Sequence, residues 1–280
     1  MELREFGPTK REVAVIGQGT WYIESGERAA VIAALRTGLD LGMNHIDTAD
    51  LYGAGAAEKV VGQAIEGRRK EVFLVSKVLP RNASRSGTIE ACESSLARLG
   101  TDYLDCYLLH WRGRHPLSET IAGFEQLLGD GKILSWGVSN FDVPDLEEVR
   151  KIAGAGHPAC NQVLYHLEER AIEHSVIPWC EKHEVAVVAY SPFGHGRFPG
   201  PQMPGGRVLE EIAEAHNATP RQVALRFLVR RPSVFAIPKA SNPQHTKENA
   251  GAGRLVLTAA EIARIGQAFP LGLSRELPML

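Results

Sequence analysis

Short apolar segments recur along this chain at a nearly constant interval, and this regularity limits the fold more than any other feature of the sequence. Most of them begin about 26 to 32 residues after the preceding one, a spacing that suits a helical crossover to a parallel neighbouring strand. Between them, apolar residues repeat every three or four positions, as in amphipathic helices. The predicted strands are residues 15–19, 44–47, 72–77, 104–110, 133–138, 160–164, 185–190 and 234–238. Eight strand–helix units predict an α/β fold, the (β/α)8 TIM barrel, as a single domain over residues 1–280.

Segments outside this repeat predict features at both ends of the barrel. Residues 3–6 and 12–15 flank a Gly-Pro turn signal and predict a β-hairpin, which we expect to cover one end. Two longer interruptions, residues 192–207 and 243–253, follow the seventh and eighth strands and should lie on the catalytic face. A doubly wound open sheet is the competing architecture, but the G-x-G-x-x-A string at residues 154–159 follows a helix and precedes a strand. We interpret that string as a loop.

Charge and composition exclude several classes of protein. The formal net charge is −2 with both signs interleaved, so the chain lacks the basic field that nucleic acid or an anionic membrane selects. The N-terminus is charged from Glu2 onward, and the longest apolar run, residues 185–190, is far short of the roughly 18 residues of a membrane span. The four cysteines have no metal-binding spacing and are expected to stay reduced. These features predict a cytoplasmic protein, and the absence of an apolar seam favours a monomer.

Four polar side chains of complementary chemistry are expected at the same end of the barrel. Asp47, Lys77 and His110 each end a predicted strand, and Tyr52 follows Asp47 in the next loop. A single polar residue at a strand end is usually a satisfied group of the core, and Asp47 alone could simply cap the next helix. Three such residues at consecutive strand ends, with Tyr52 in the adjoining loop, instead indicate a catalytic site.

The chemistry of these four residues points to proton donation. A free phenol has a pKa of about 10, and a neighbouring ammonium favours the phenolate, so we expect Lys77 to lower the pKa of Tyr52. Asp47 would compensate the charge of a buried Lys77. A neutral His110 would hold a carbonyl oxygen in place, and a proton donor positioned in this way contributes roughly 10²- to 10⁴-fold to the rate.

A metal site is the alternative interpretation of the same strand ends. His45 and Asp47, with His110 elsewhere, could begin the centre of a barrel metal-dependent hydrolase. Such a centre needs several His and carboxylate ligands, whereas the other strand ends offer residues such as Lys77 and Tyr190. We therefore expect no bound metal.

A series of short motifs, taken in order, resembles those of a known family. The motifs are residues 17–21, 47–49 with 52–53, 76–77, 108–111, 137–141, 161–162, 190–192 and 237–239 with Asn249. Together they resemble the successive motifs of the aldo-keto reductases, and within that superfamily the chain is similar to small bacterial reductases of aldehydes such as methylglyoxal. The resemblance implies an NADPH-dependent barrel that reduces small carbonyl compounds. In it Tyr52 gives the proton, Lys77 and Asp47 tune that donor, and His110 orients the carbonyl.

The resemblance also implies a set of cofactor-binding residues. Those expected to bind NADPH are Gly19, Thr20, Ser139, Asn140, Gln162, Tyr190, Ser191, Phe193, Lys239, Ser241, His245, Glu248 and Asn249. Ser139, Asn140 and Gln162 would bind the carboxamide, and Tyr190 would stack on the nicotinamide ring. Lys239, Glu248 and Asn249 would hold the adenosine end. Ser139, Phe193 and Glu248 fit equally well as turn, packing or cap residues.

The chain departs from the family pattern at positions that bear on cofactor selectivity. Gln18 and Ala240 stand where the family usually has an apolar residue and a Ser or Thr, and His245 lies where an Arg often grips the 2′-phosphate. An ordinary imidazole is cationic only below neutrality. We therefore expect NADPH to be preferred through Lys239, with NADH as a weaker alternative.

The aromatic residues near these motifs predict the substrate pocket. Trp21 and Trp111 are expected to line it, although either could simply pack its rim. Nothing after residue 253 resembles a long tail that encloses the substrate, so we expect an open site with broad specificity. A cofactor-bound regulatory subunit is a further alternative, which turnover of any aldehyde with NADPH would make unnecessary.

Overall fold

The chain begins with the predicted β-hairpin, which covers the N-terminal end of the barrel. β1 (Leu3–Glu5) pairs antiparallel with β2 (Glu12–Ala14). Phe6, just after β1, is fully buried, and its ring centroid lies 4.7 Å from that of Phe73 and 5.1 Å from that of Phe235. The hairpin therefore closes this end of the barrel interior with apolar contacts.

Eight parallel strands form the barrel, and each pairs with the next in chain order. The computed structural model of the protein describes residues 1–274 and 276–279. The strands are β3 (Gln18–Gly19), β4 (His45–Asp47), β5 (Phe73–Val78), β6 (Cys106–Leu109), β7 (Trp136–Ser139), β8 (Cys160–Leu164), β9 (Ala186–Tyr190) and β10 (Val234–Ala236). The predicted (β/α)8 fold is confirmed.

The first and last strands of this sheet meet and close it. Ile16 bridges in parallel to Ala236, and Gly19 bridges in parallel to Lys239. A Cβ atom on Gly19 would lie 2.5 Å from the carbonyl oxygen of Ile237, so only glycine permits this approach. Because part of the first predicted strand pairs only through such isolated bridges, β3 is shorter than the sequence predicts.

Helices cover the outside of the barrel, and their apolar faces pack on the outer face of the sheet. They are α1 (Arg28–Asp40), α2 (Ala56–Ile65), α3 (Arg85–Leu99), α4 (Leu117–Gly129), α5 (Val143–Ala153), α6 (Val176–Lys182), α7 (Pro204–Ala215), α8 (Pro220–Leu228), α9 (Pro243–Gly251) and α10 (Ala259–Ala268). Left-handed glycines follow several of them, for example Gly100 after α3 with φ of 65°. Across residues 1–274 and 276–279, no helix combines the length and the apolar character that a membrane crossing requires.

The segment after β10 differs from the prediction. The sequence predicts a long interruption over residues 243–253, but α9 occupies most of it. Asn242 caps this helix, because its side-chain oxygen accepts the His245 N–H at 2.9 Å, and Pro243 suits the first turn. Apolar periodicity does not reveal the bounds of this helix, because α9 is mainly polar. The other interruption is irregular as far as Met203, where α7 follows.

Candidate active site

Strand ends and one short turn bring the four predicted catalytic side chains together. Asp47 is the last residue of β4, Lys77 is the second-last residue of β5, and His110 directly follows β6. Tyr52 begins the 3-10 turn that leads from β4 to α2. All four therefore lie at the C-terminal end of the barrel, which is where (β/α)8 enzymes place their active sites.

The Lys77 ammonium is the centre of this group. Its Nζ donates to Asp47 Oδ1 at 2.6 Å, to the Thr48 carbonyl at 2.8 Å and to Tyr52 Oη at 3.2 Å. The side chains of Lys77 and Asp47 are 0% and 1% exposed. Burial opposes the charge, but Asp47 and Tyr52 outweigh it and raise the pKa of Lys77 above its ordinary value. Lys77 is therefore a buried cation at neutral pH.

The phenol of Tyr52 behaves differently from the prediction. Burial is the largest influence and raises the pKa of Tyr52, Lys77 lowers it, and Asp47 raises it again, so the net shift is upward. Lys77 influences the pKa of Tyr52 in the predicted direction, but burial outweighs it, and the sequence does not reveal how strongly burial acts at this position. The phenol is therefore protonated near neutrality and can act as a proton donor.

His110 is neutral, as predicted. Burial, with a smaller contribution from Lys77, lowers the pKa of His110 to about 2. Its ring centroid lies 5.9 Å from that of Tyr52, and within the described part of the chain its Nδ1 is buried without a hydrogen-bond partner. A neutral imidazole beside the phenol can hold the oxygen atom that the phenol protonates.

Asn140 connects His110 to the next part of the site. Its Nδ2 donates to the His110 carbonyl at 3.2 Å and to Ser139 Oγ at 3.2 Å, and its Oδ1 accepts the Tyr190 hydroxyl at 2.9 Å. Asn140 adopts the left-handed conformation with φ of 60°, which Asn tolerates better than most residues. Three of the four residues predicted to hold the nicotinamide thus form one connected group.

Gln162 joins this group to the catalytic residues. Its Nε2 donates to Asp47 Oδ2 at 2.7 Å, and its backbone carbonyl accepts the Ser139 hydroxyl at 2.9 Å. Together with Lys77, it occupies both carboxylate oxygens of Asp47. Sequence reasoning gives Gln162 only a cofactor role, whereas the structure also makes it a hydrogen-bond partner of the Asp47 carboxylate.

Residues predicted to contact the remainder of the cofactor surround the ends of β3, β9 and β10. Thr20 Oγ1 donates to the Asp47 carbonyl at 2.8 Å, and Ser191 has a left-handed φ of 48° directly after β9. Ser241 lies half-buried in the bend before α9, and Asn249 is buried within α9. Gly19 takes part in barrel closure. These residues follow the rim of the barrel away from the catalytic group.

Positively charged and hydrogen-bonding groups lie at the far end of this path. Lys239, three residues after the end of β10, and His245 on α9 are exposed. His245 Nδ1 lies 3.1 Å from the side-chain nitrogen of Asn242, so its ring is held by the residue that caps the helix. The side chain of Glu248, on the same helix, contacts Gln244 at 3.2 Å.

Arg221 belongs to the same region, although sequence reasoning did not select it. Its guanidinium lies 4.9 Å from the ring centroid of Phe198 and 5.8 Å from that of Phe193. It lines a cavity of about 300 Å³ together with Glu248. The sequence around Arg221 signals only the start of α8, through the Thr219 capping box, so nothing local marks this cation as part of a site.

The two predicted pocket aromatics lie beside different members of the catalytic group, Trp21 near Tyr52 and Trp111 near His110. The ring centroid of Trp21 lies 6.5 Å from that of Tyr52 and 5.1 Å from that of His195, on which it stacks. Trp111 lies 4.8 Å from the His110 ring. His195, in the irregular segment after β9, is a second residue that the sequence did not indicate, because only the folded chain brings that segment to Trp21.

The metal-site alternative has no geometric support in this structure. His45 lies at the start of β4, fully buried among apolar rings, with its ring centroid 5.7 Å from that of Phe6 and 5.6 Å from that of Phe73. Burial lowers the pKa of His45 to about 4. Over residues 1–274 and 276–279, no group of three or more His, Cys, Asp or Glu side chains could hold a metal ion.

Comparison with known proteins agrees with this geometry. The model of the Aldo/keto reductase family matches residues 15–269, and the chain belongs to that family. It is 47% identical to Methylglyoxal reductase YeaE of Escherichia coli over 91% of this chain and 90% of that protein. It is 36% identical to Glyoxal reductase of Bacillus subtilis over 85% of this chain and 83% of that protein. A crystal structure of an aldo-keto reductase from Klebsiella pneumoniae in complex with NADPH is 43% identical, covers 100% of both chains and has a TM-score of 0.94.

Proposed function

We propose that the protein is an NADPH-dependent oxidoreductase that reduces small aldehydes and α-dicarbonyls to alcohols. The observation that supports this most strongly is the hydrogen-bonded series from Asp47 through Lys77 to Tyr52 at the C-terminal end of the barrel. The relatives named as methylglyoxal and glyoxal reductases support small dicarbonyls as substrates.

Tyr52 is the proposed proton donor. Its raised pKa keeps the phenol protonated until a carbonyl oxygen gains negative charge and takes the proton. The Lys77 ammonium, 3.2 Å from the phenol oxygen, then stabilises the phenolate that remains. Asp47 balances the charge of Lys77, so the pair can stay buried throughout. A proton from water restores the phenol for the next turnover.

His110 is proposed to orient the substrate. A neutral imidazole can donate one N–H to the carbonyl oxygen without adding a full charge to the pocket. The His110 and Tyr52 rings are in T-shaped contact, with centroids 5.9 Å apart, so the imidazole is near enough to the phenol for both to bind the same substrate oxygen. Trp21 and Trp111 would exclude water around that oxygen and would favour small substrates.

The residues along the rim fit NADPH, which when bound would supply the hydride that the carbonyl carbon receives. The amide of Asn140 and the ring of Tyr190 suit the neutral carboxamide and the flat nicotinamide. Lys239 and Arg221 place positive charge at the far end, where the phosphates would lie. Neutral groups beside the catalytic residues and cations beyond them match the distribution of charge along this dinucleotide.

A panel of carbonyl compounds assayed with NADPH tests the proposal. Short aldehydes and α-dicarbonyls should have larger specificity constants than bulky ketones such as steroids. A preference for steroids would contradict the proposed substrate class, and the absence of turnover with every carbonyl would favour a regulatory binding role. We further propose a monomer in the cytoplasm that uses NADH only weakly. Size-exclusion chromatography with light scattering and the ratio of NADPH to NADH affinity test the first and last of these points.

A further inference from the structure

A buried carboxylate lies directly behind the catalytic side chains, between the barrel sheet and its helices. Glu58, in the first turn of α2, is 0% exposed. Its Oε1 accepts the Ser76 hydroxyl at 2.6 Å, and its Oε2 accepts the Arg98 Nε–H. Burying a carboxylate is costly even when it is paired, and an apolar residue would fill the same space without that cost. The role of Glu58 is therefore to be sought in its contacts with Ser76 and Arg98 and not in the volume that its side chain fills.

The contact with Ser76 reaches the strand that presents Lys77. Ser76 and Lys77 are successive residues of β5, and successive side chains of a strand point to opposite faces. Fixing Ser76 on the outer face therefore fixes the backbone that directs Lys77 into the barrel. In this way Glu58 holds the strand that presents the Lys77 ammonium to Tyr52.

Tyr52, the proposed proton donor, is followed by an unusual turn. Gly53, Ala54 and Gly55, directly after Tyr52, have φ values of 55°, 51° and 87°, so three successive residues are left-handed. Such backbone is strained where a side chain is present, and it persists only where the surrounding structure holds it in place. The position of Tyr52 thus depends on whatever supports this turn.

Arg98 is one of the two supports. A Cβ atom on Gly55 would lie 2.6 Å from Cδ and Nε of Arg98, so the turn rests directly on that side chain. A Cβ atom on Gly53 would lie 2.6 Å from Cγ of Glu24, on the opposite side. Arg98 is itself fixed by its ion pair with Glu58 and by a 3.1 Å bond to Ser95.

We propose that Glu58 is a positioning residue of the active site: through Arg98 it holds the turn that follows Tyr52, and through Ser76 it holds the strand that presents Lys77. It thereby sets the separation between the phenol oxygen and the ammonium. This inference rests on the proposed function only in that Tyr52 donates the proton and Lys77 stabilises the resulting phenolate.

Glu58→Gln tests the proposal, because it keeps the shape of the side chain and removes its charge. In single turnovers with NADPH and methylglyoxal, the variant should react about ten- to a hundredfold more slowly, since small misplacements of reacting groups have effects of that size. The KM and the Kd of NADPH should stay close to wild type. The solvent deuterium isotope effect should increase because proton transfer becomes more limiting. Amide hydrogen exchange over residues 52–56 should become faster.

Glu173→Gln is the matched control. Glu173 is also a buried carboxylate, held by Arg170 at 2.7 Å and by Arg230 at 2.6 Å, outside the catalytic group. It should lose stability to a similar extent and keep the wild-type single-turnover rate. In addition, Arg98→Lys should retain more activity than Arg98→Met, because lysine keeps a cation and a long side chain beneath Gly55.

The outcomes separate positioning from simple stabilisation. If Glu58→Gln loses stability as Glu173→Gln does, yet reacts at the wild-type rate with unchanged exchange over residues 52–56, the proposal is overturned. If Glu58→Gln does not fold, the Arg98→Lys and Arg98→Met variants decide by the same measurements, and equal rates would overturn it. If the wild type reduces no carbonyl, the proposed function fails, and hydrogen exchange over residues 52–56 still tests whether Glu58 holds the turn.

Discussion

The two ends of the proposed cofactor path are built in different ways. At the catalytic end, Lys77 and Asp47 are fully buried, and hydrogen bonds from separate strands fix both carboxylate oxygens. At the phosphate end, Lys239 and His245 are exposed on a loop and a helix. A buried, bonded group keeps its geometry before any ligand arrives, whereas an exposed side chain must be ordered by what it binds. Reaction chemistry and cofactor choice should therefore respond separately to substitution.

Replacing Lys77 should separate the two ends most clearly. Lys77→Met removes the cation that stabilises the phenolate, so kcat should fall by about 10²- to 10⁴-fold, the range for a positioned proton donor. The Kd of NADPH should stay close to wild type, because the phosphate-binding cations are untouched. Lys132→Met, which removes an exposed ammonium paired with Glu93, is the control and should retain activity. Comparable kcat values in the two variants would show that Lys77 does not act on Tyr52.

The same substitution has a separate effect on stability. Lys77→Met leaves Asp47 buried without its cation, and breaking a buried pair in this way typically costs about 3–5 kcal/mol. The double variant Lys77→Met/Asp47→Asn should recover part of the free energy of unfolding and none of the rate. Denaturant unfolding alongside kinetics distinguishes loss of fold from loss of chemistry.

At the phosphate end, Lys239→Met should change cofactor preference and leave the chemistry intact. A hydrogen bond to a charged group contributes about 1.5–3 kcal/mol, so the Kd of NADPH should rise by about tenfold or more while that of NADH changes little. Lys247→Met, which removes an exposed lysine of α9, is the control. Arg221→Met distinguishes the phosphates: weakening of both cofactors would place Arg221 at the pyrophosphate, and weakening of NADPH alone would place it at the 2′-phosphate. No change in either Kd would exclude it from the site.

The buried interior should also appear in the pH dependence of stability. Burial lowers the pKa of His45 to about 4, whereas the unfolded chain has a histidine pKa of about 6.5. The unfolded chain therefore takes up the proton first, and the stability that neutral His45 provides is complete above about pH 6.5 and is lost as the pH falls towards 4. Relative to His45→Met, the wild type should lose up to about 1.4 kcal/mol per pH unit in that window. Urea unfolding at several pH values gives the slope of the free energy of unfolding against pH for the wild type and for His45→Met. Equal slopes would mean that water reaches the His45 ring in the folded protein.

The smallest expected effect is a gain at the exposed rim. His245→Arg introduces a permanent charge with bidentate geometry, so NADPH should bind severalfold more tightly than in the wild type, with NADH unchanged. His245→Ala gives the baseline. The ratio of the NADPH Kd to the NADH Kd, measured from mildly acidic to mildly alkaline pH, shows what the imidazole itself adds. A ratio with the same pH profile in wild type and His245→Ala would remove His245 from the site.

The catalytic group is predictable because strand ends are visible in the sequence. Asp47, Lys77 and His110 each close an apolar run, and parallel strands in a closed barrel must bring those ends together. Arg221 and His195 are not predictable in this way, because only the folded chain brings α8 near α9 and the segment after β9 near Trp21. The net shift of the Tyr52 pKa escapes prediction for a related reason: it depends on how deeply the hydroxyl is buried, which periodicity does not specify.

The most direct test of the account is the rate of a single turnover in Tyr52→Phe. The substitution removes one hydroxyl and little volume, so the variant should fold and bind NADPH as the wild type does. When the variant saturated with NADPH is mixed with methylglyoxal, oxidation of the cofactor should be slower by about 10²- to 10⁴-fold or more. If Tyr52→Phe retains most of the wild-type single-turnover rate, Tyr52 is not the proton donor and the role given to the buried Lys77–Asp47 pair is wrong.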